Sequence, residues 1–533
     1  MRVLLFFLSL LNLLTTIFSY NALIYSPAFA TSHMNFMAHL SDTLTEAGHN
    51  VTFLVPISEE SLRNRIKVRT RHLINVEQDE IYENHFWEAG DELMQTVWTY
   101  VESPEKNKEK FKLFENRTIE TCGLLIRNRK VLEILQNTKF DVSITEPLSI
   151  CGLAYSKILG IEKTIIASSC TMYDHIMYLI GEPDHPSYVP AMQSTYTDKM
   201  NLYERYQNYQ YSVGFIETMQ NVFEAEIQLF SEWNISNWHD LYSETSLHFV
   251  NSNPYIDFPR PIIQKTVSIG GISVNLEKIK SEKLSDEWNN ILYKRNQNML
   301  ISFGSIAKSM DIPIEWKSNI LDVIKLFPNV TFIWKYESDD LEWAENIENI
   351  VFMKWIPQTA LLNDKRVNAF LTHGGLGSTN ELAYLGKPAI MIPIFADQMR
   401  NANMLRRHNG TISLSKFDLG NLDLLKKSIN SILNYQKYSK NAEQLASLLS
   451  KQPMEPKETV IKYVEFVSKF GPFPTMDPSS RNMSKIQIYM LDIYFILFFS
   501  YFITLIGFVF TVRLLFNYLN FRSTKNKTKN KLN

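Results

Sequence analysis

From residue 22 onward the chain alternates short β-branched runs with longer stretches whose apolar residues recur every three or four positions. In the first half, 22–26, 51–55, 141–145 and 164–167 read as buried strands, while 33–47, 119–136 and 150–159 carry helical periodicity. In the second half strands are expected at 299–303, 330–334, 350–353, 368–372 and 389–392, with helices at 314–327, 378–385 and 398–407. Strand–helix alternation of this kind implies parallel sheets with helices on both faces. The pattern is interrupted at 267–285, so two doubly wound α/β domains are expected, one over 20–270 and one over 285–470. Segments 62–112 and 172–238 are rich in Tyr, Phe, Trp and Met without a clean amphipathic period. They read as loops and helices inserted over the mouth of a sheet, where a domain places its specificity.

The ends carry a different pattern. Met1-Arg2 precedes the apolar run VLLFFLSLLNLL and a plausible cleavage site near Ser19, which predicts a signal peptide over 1–19. Residues 439–470 read as helical, 471–480 as a linker, and 493–512 is a stretch of 20 residues without a charge. At about 1.5 Å per residue it spans a hydrocarbon core of about 30 Å. Arg513, Arg522, Lys525, Lys527, Lys529 and Lys531 crowd the tail over 513–533. Such a tail stays cytoplasmic, so a single-pass type I membrane protein with its body on the far side is expected.

Composition adds little beyond this. The 533 residues carry a formal net charge of −2, which gives no basic excess for nucleic acid. Cys122, Cys151 and Cys170 show neither a disulfide framework nor zinc spacing and read as small buried hydrophobes. Sequons at Asn50, Asn116, Asn234, Asn329, Asn409 and Asn482 allow glycosylation of the body.

The candidate chemistry sits at the strand ends of the second half. His373-Gly374-Gly375 ends the strand at 368–372, and a helix begins at Ser378. Gly374, Gly375 and Gly377 let backbone approach an oxyanion, and free N–H groups at the helix terminus stabilise its charge. Trp355 offers a flat face for a base and Gln358 polar groups for a base or ribose, while Glu381 is placed for ribose hydroxyls. Asp397 and Gln398 follow the next strand. An aromatic, phosphate donors, a ribose acceptor and a sugar-binding carboxylate at successive strand ends describe a nucleotide-sugar site. No Asp-x-Asp occurs among these strand ends, so no metal and no cofactor beyond the nucleotide-sugar co-substrate is expected.

The segment WIPQTALLNDKRVNAFLTHGGLGSTNELAYLGKPAIMIPIFADQMRNAN, residues 355–403, resembles the signature of the UDP-glycosyltransferases, specifically the membrane-bound UDP-glucuronosyltransferase branch. SPAFATSHMNF near the start, DFPRP at 257–261, SFGS at 302–305 and the membrane-plus-dilysine tail extend the resemblance over essentially the whole chain. It implies two facing Rossmann-like domains of GT-B type, acceptor-binding first and UDP-sugar-binding second, plus one C-terminal transmembrane helix. It implies that Trp355 stacks on uracil and Gln358 bonds the base or ribose. His373, Ser378 and adjoining amides, helped by Ser305, would hold the diphosphate; Glu381 would bind ribose, and Asp397 with Gln398 the sugar. Mammalian drug-conjugating members usually have Asn where this chain has Gly377.

His33 lies just after the first strand, at the start of a helix, where an imidazole suits deprotonation of an acceptor hydroxyl. Glu146, at the end of the strand over 141–145, supplies the orienting carboxylate; many members have Asp there. The expected reaction is an inverting transfer from a UDP-sugar to a small lipophilic hydroxylated acceptor. Arg260 in DFPRP is the one hint of the donor, since in the glucuronosyl branch it can reach a uronate carboxylate. UDP-glucuronate is therefore favoured, with UDP-glucose and a non-catalytic UDP-sugar- or lipophile-binding member as alternatives. The dilysine at Lys529 and Lys531 points to the endoplasmic reticulum membrane, with a lumenal body. Membrane lipid is an expected partner, and association with itself or a relative is left open.

Overall fold

The computed structural model describes residues 19–27, 30–57, 67–77, 96–345 and 347–529. The signal peptide over 1–19 lies almost wholly outside these residues, as does Lys531 of the dilysine pair. Residues 1–477 form one compact unit and 478–533 a second.

The first unit contains two parallel sheets. The seven-stranded sheet comprises β1 (Asn21–Tyr25), β2 (Asn50–Pro56), β3 (His72–Val76), β4 (Val142–Thr145), β5 (Thr164–Ser168), β6 (Leu247–Val250) and β7 (Thr266–Ser268), in the order β3-β2-β1-β4-β5-β6-β7. The six-stranded sheet comprises β8 (Gln297–Ser302), β9 (Val330–Lys335), β10 (Ile350–Met353), β11 (Val367–Thr372), β12 (Ala389–Met391) and β13 (Thr411–Ser413), in the order β10-β9-β8-β11-β12-β13. Central strands such as β1 and β4 are buried on both faces, which is why they read as continuous apolar runs. In each sheet the chain order reverses beside that sheet's first strand, between β1 and β4 and between β8 and β11, where open α/β sheets bind ligands.

The segment 172–238, read as inserted loops and helices, contains the long helix Leu202–Ile227. Its buried side carries Asn208, Ser212, Gly214 and Glu226 among apolar residues, while Tyr203, Tyr206 and Tyr209 lie exposed, so polarity does not sort by face. The helix Pro456–Phe470 does not belong to the second domain as the range 285–470 implied. Its Val460, Val464 and Val467 pack with Ala22, Ile24 and Val142 in the core of the first sheet. Cys122 and Cys151 are not isolated hydrophobes but form a disulfide, with Cα atoms 5.6 Å apart, joining the helices Pro104–Arg127 and Cys151–Ile158.

The two sheets are tied across their interface by buried polar contacts. Arg400 Nη1 lies 2.8 Å from Asp257 Oδ1, and Arg400 Nε donates to the Pro190 carbonyl at 3.1 Å. Tyr384 donates to the Gly270 carbonyl and accepts from Asn253 Nδ2, both at 3.0 Å. In the second unit, Leu491–Lys529 is one helix, long and apolar enough over Leu491–Asn526 to cross a membrane.

Candidate active site

β1 and β4 are neighbours in register, Tyr25 beside Thr145, so the residues that follow them emerge at one edge. After β1 the helix Thr31–Glu46 begins, and His33 stands in its first turn. Glu146 follows β4 directly and is fully buried. His33 Nδ1 and Glu146 Oε1 are 2.6 Å apart. Burial pulls the imidazole pKa down, but the Glu146 charge and hydrogen bond, together with the charge of Asp397, outweigh it and hold His33 above its ordinary value. Asp397 comes from the other half of the chain, so carboxylates from both halves act on one imidazole.

Asp397 precedes the helix Gln398–Arg406, and its Oδ2 accepts from Asn401 Nδ2 at 2.9 Å. Burial raises its pKa, partly offset by that hydrogen bond and by His33. The loop before it passes through Ala396 at φ 57°. This left-handed conformation costs a residue with a Cβ roughly 1–2 kcal/mol, held here to aim Asp397. Gln398 is turned inward: its Oε1 accepts from the N–H groups of Ile394 and Phe395 at 2.9 and 3.2 Å, so it shapes the loop.

The glycine corner forms at the end of β11. Gly374 has φ 79°, and Gly375 caps the helix Leu376–Leu385, which begins two residues before Ser378. A Cβ on Gly375 would lie 2.6 Å from His373 Nε2, whereas one on Gly377 would meet nothing within 4 Å. Burial, with help from the Lys335 charge, lowers the His373 pKa to about 4, so the ring is neutral at pH 7 and available as a hydrogen-bond donor. Ser305 is exposed on the loop after β8, beside Gly304, whose carbonyl accepts from Lys335 Nζ at 2.7 Å.

Gln358 Nε2 bonds Ser378 Oγ at 3.0 Å and Glu381 Oε2, and Thr359 Oγ1 bonds Glu381 Oε1. Burial raises the Glu381 pKa, opposed by these donors. Trp355 presents a face that is 71% exposed, open to a planar ligand. The corner thus brings together Trp355, Gln358, His373, Gly375, Gly377, Ser378 and Glu381.

Arg260 does not join them. Its guanidinium is paired with Glu182, beside Met177 Sδ, in a pocket where the two side chains are 6% and 0% exposed. Its charge is already compensated by Glu182, so the structure lends the donor argument built on Arg260 no support. Sequence reading also missed Ser169 and Tyr173, which bond Glu146, and Lys335 beside the Ser305 loop. Their only signal was position at strand ends.

The family model described as "UDP-glucoronosyl and UDP-glucosyl transferase" matches residues 22–528. Mouse UDP-glucuronosyltransferase 1A7 is 25% identical over 472 residues, covering 87% of this chain and 86% of that protein. The Caenorhabditis elegans protein ugt-50 is 26% identical over 496 residues, covering 89% of this chain and 91% of its own length. Among solved structures, a UDP-glucosyltransferase from Polygonum tinctorium superposes with a TM-score of 0.59 at 15% identity, covering 85% of this chain and 99% of that one. The glycosyltransferase VinC, in complex with dTDP, gives 0.54 at 15% identity, covering 85% and 100%. These structures share the GT-B fold of two parallel-sheet domains. With a family match over nearly its whole length, the chain belongs to the UDP-glucuronosyl and UDP-glucosyl transferases.

Proposed function

We propose that this membrane-anchored UDP-glycosyltransferase moves a sugar from UDP to a hydroxyl of a small lipophilic acceptor in one inverting displacement. The observation that carries the reading is the convergence of Glu146 and Asp397 on His33. With Nδ1–H directed at Glu146, Nε2 takes the acceptor proton. The acceptor oxygen then bonds the anomeric carbon as the bond from that carbon to the β-phosphate oxygen breaks, and UDP leaves with the electron pair. Negative charge growing on the diphosphate meets N–H groups at the start of Leu376–Leu385 and neutral His373. Trp355, Gln358 and Glu381 hold uridine, Ser305 and Ser378 the diphosphate, and Asp397 the sugar; no divalent ion is assigned a step.

For the donor, the names of the mammalian relatives favour UDP-glucuronate, with UDP-glucose second. The acceptor class is inferred from the aromatic-rich segment 172–238 and the membrane anchor. A lumenal body in the endoplasmic reticulum is supported by the Cys122–Cys151 disulfide, which belongs to an oxidising compartment.

The test uses membranes bearing the full chain, simple phenols as acceptors, and UDP-glucuronate or UDP-glucose. A β-linked product by NMR that is lost in His33→Ala supports the reading. An α-linked product, or transfer undiminished in His33→Ala, refutes it.

A further inference from the structure

The carboxylate that orients His33 is itself gripped by two residues outside the dyad. Ser169 follows β5 at its carboxyl end, and Tyr173 precedes the helix Asp174–Ile180. Ser169 Oγ lies 2.7 Å from His33 Nδ1 and donates to Glu146 Oε1. The Tyr173 hydroxyl is 3.1 Å from both Glu146 Oε1 and Ser169 Oγ. Among the described residues, every hydrogen bond to this carboxylate falls on Oε1, the oxygen that meets the imidazole, while buried Oε2 makes none.

The backbone beneath is fixed as well. The Pro147 carbonyl, next in sequence, accepts from the Tyr242 hydroxyl at 3.0 Å and lies 3.2 Å from His175 Nε2. Burial lowers the His175 pKa to about 3, so that ring is neutral and Nε2–H can donate to the carbonyl. The main chain at 146–147 thus has little freedom, and what remains is in the Glu146 side chain. A glutamate has one more rotatable bond than an aspartate, and that freedom must be restrained for a single pose.

We propose that Ser169 and Tyr173 are positioning residues that clamp Glu146 Oε1 against His33 Nδ1, and that the clamp lets a glutamate orient the base. The inference rests on His33 as the general base. The titratable groups facing this cluster are Glu146, Asp397 from the donor half, Cys170 and Tyr173 itself. Burial pushes the Cys170 thiol and the Tyr173 phenol well up, so both stay protonated and only the carboxylates bring charge to the imidazole.

The experiment compares Tyr173→Phe, Ser169→Ala and Ser169→Thr in the full-length protein in membranes, with UDP-glucuronate or UDP-glucose and simple phenols. Tyr173→Phe and Ser169→Ala are expected to lower kcat roughly tenfold with the UDP-sugar KM unchanged, as for loss of an orienting group. Ser169→Thr, which keeps the hydroxyl, should recover most of the rate. In a Glu146→Asp background the Tyr173→Phe loss should shrink, a non-additivity that marks a shared contact. His33 is also titrated without turnover, from the pH dependence of its carbethoxylation by diethyl pyrocarbonate, read on the His33 peptide by mass spectrometry. Its midpoint should fall in Tyr173→Phe as the carboxylate leaves the ring. A wild-type midpoint with wild-type kcat overturns the clamp, as does a loss of kcat/KM that lies entirely in the UDP-sugar KM. Transfer surviving in His33→Ala refutes the base assignment instead, and the carbethoxylation midpoints then decide the clamp by themselves.

Discussion

Trp98, from the first half of the chain, packs edge-on against Phe303 of the second, with ring centroids 5.0 Å apart and planes at 83°. Trp98 Nε1 donates to the Lys308 carbonyl at 3.1 Å, and Lys416 Nζ joins the carbonyls of Val97 and Ile394. Val97 and Trp98 therefore belong to the core of the second sheet. Phe303 precedes Gly304-Ser305, and Ile394 precedes the Asp397 loop, so one plug braces two donor loops. Replacing Trp98 by Ala removes a fully buried indole and should cost about 3–5 kcal/mol. The UDP dissociation constant should rise in Trp98→Ala and return toward wild type in Trp98→Phe. Calorimetric titration with UDP alone, on protein first shown to be folded, checks this; unchanged UDP affinity in Trp98→Ala would rule out the bracing.

The two glycines of the corner should respond in opposite ways. Gly377 faces open space, so Gly377→Asn should keep stability within about 1 kcal/mol, since an ordinary helix residue replaces the poorest one. Its amide would reach toward the diphosphate and lower the UDP-sugar KM. Gly375→Ala drives a Cβ into His373 and should raise that KM instead. Initial-rate kinetics on the pair decides it, and a KM raised by Gly377→Asn would show that the space is already needed by the ligand.

The pH dependence has a definite sign. His33 is held above its ordinary value of 6.5, and it must be neutral to accept a proton, so kcat/KM should fall as pH drops through a midpoint above 6.5. Asp397→Asn removes one of the charges that hold the imidazolium and should move that midpoint down, besides weakening sugar binding. The stability linkage runs the other way. A raised folded-state pKa contributes stability that is fully present below the unfolded value and lost as pH rises through the folded one. Activity and the His33 contribution to Tm should therefore trend oppositely between those two pKa values. A pH–rate profile whose midpoint is unmoved by Asp397→Asn would contradict the convergence of the two halves on His33.

Much of this was legible because buried parallel strands are written as apolar runs. β1, β4, β8 and β11 carry His33, Glu146, Ser305 and His373 at their ends, and each strand was readable without the structure. β7 and β13 are three-residue edge strands, TVS and TIS, too polar to form an apolar run, and β3 is a partly exposed edge with the mixed sequence HLINV. Long-range pairing left no local trace either. Nothing near Arg260 in sequence announces Glu182, which lies 78 residues away, and nothing near Phe303 announces Trp98. The clamp on Glu146 escaped for the same reason: a serine and a tyrosine after β5 become informative only when β4 and β5 are seen side by side.

Arg260→Met should damage the fold without changing the choice of sugar. The substitution leaves Glu182 buried and bonded only to Thr266, an uncompensated charge that costs about 3–5 kcal/mol. Adding Glu182→Leu should recover most of that loss, because a well-packed apolar pair replaces the ions. The ratio of kcat/KM for UDP-glucuronate to that for UDP-glucose should stay at its wild-type value in the double variant. Thermal inactivation and competition between the two donors provide the measurements, and a ratio shifted tenfold toward UDP-glucose would restore Arg260 to the donor site.

The disulfide links stability to compartment. Cys122 and Cys151 are 29 residues apart, and closing a loop of that length in the unfolded chain corresponds to about 3–4 kcal/mol. The bridge joins Pro104–Arg127, which packs against Leu202–Ile227, to the helix that follows Glu146. Cys122→Ala should therefore lower the temperature of inactivation, and dithiothreitol should do the same to the wild type but not to the variant. A bridge of this kind forms only where thiols are oxidised, so the chain as made in cells should migrate differently in gels run with and without reductant. Cys122→Ala should migrate identically in both. Wild-type protein that migrates identically with and without reductant, and whose inactivation temperature Cys122→Ala does not lower, would place the body in a reducing compartment and reverse the orientation drawn from the basic tail.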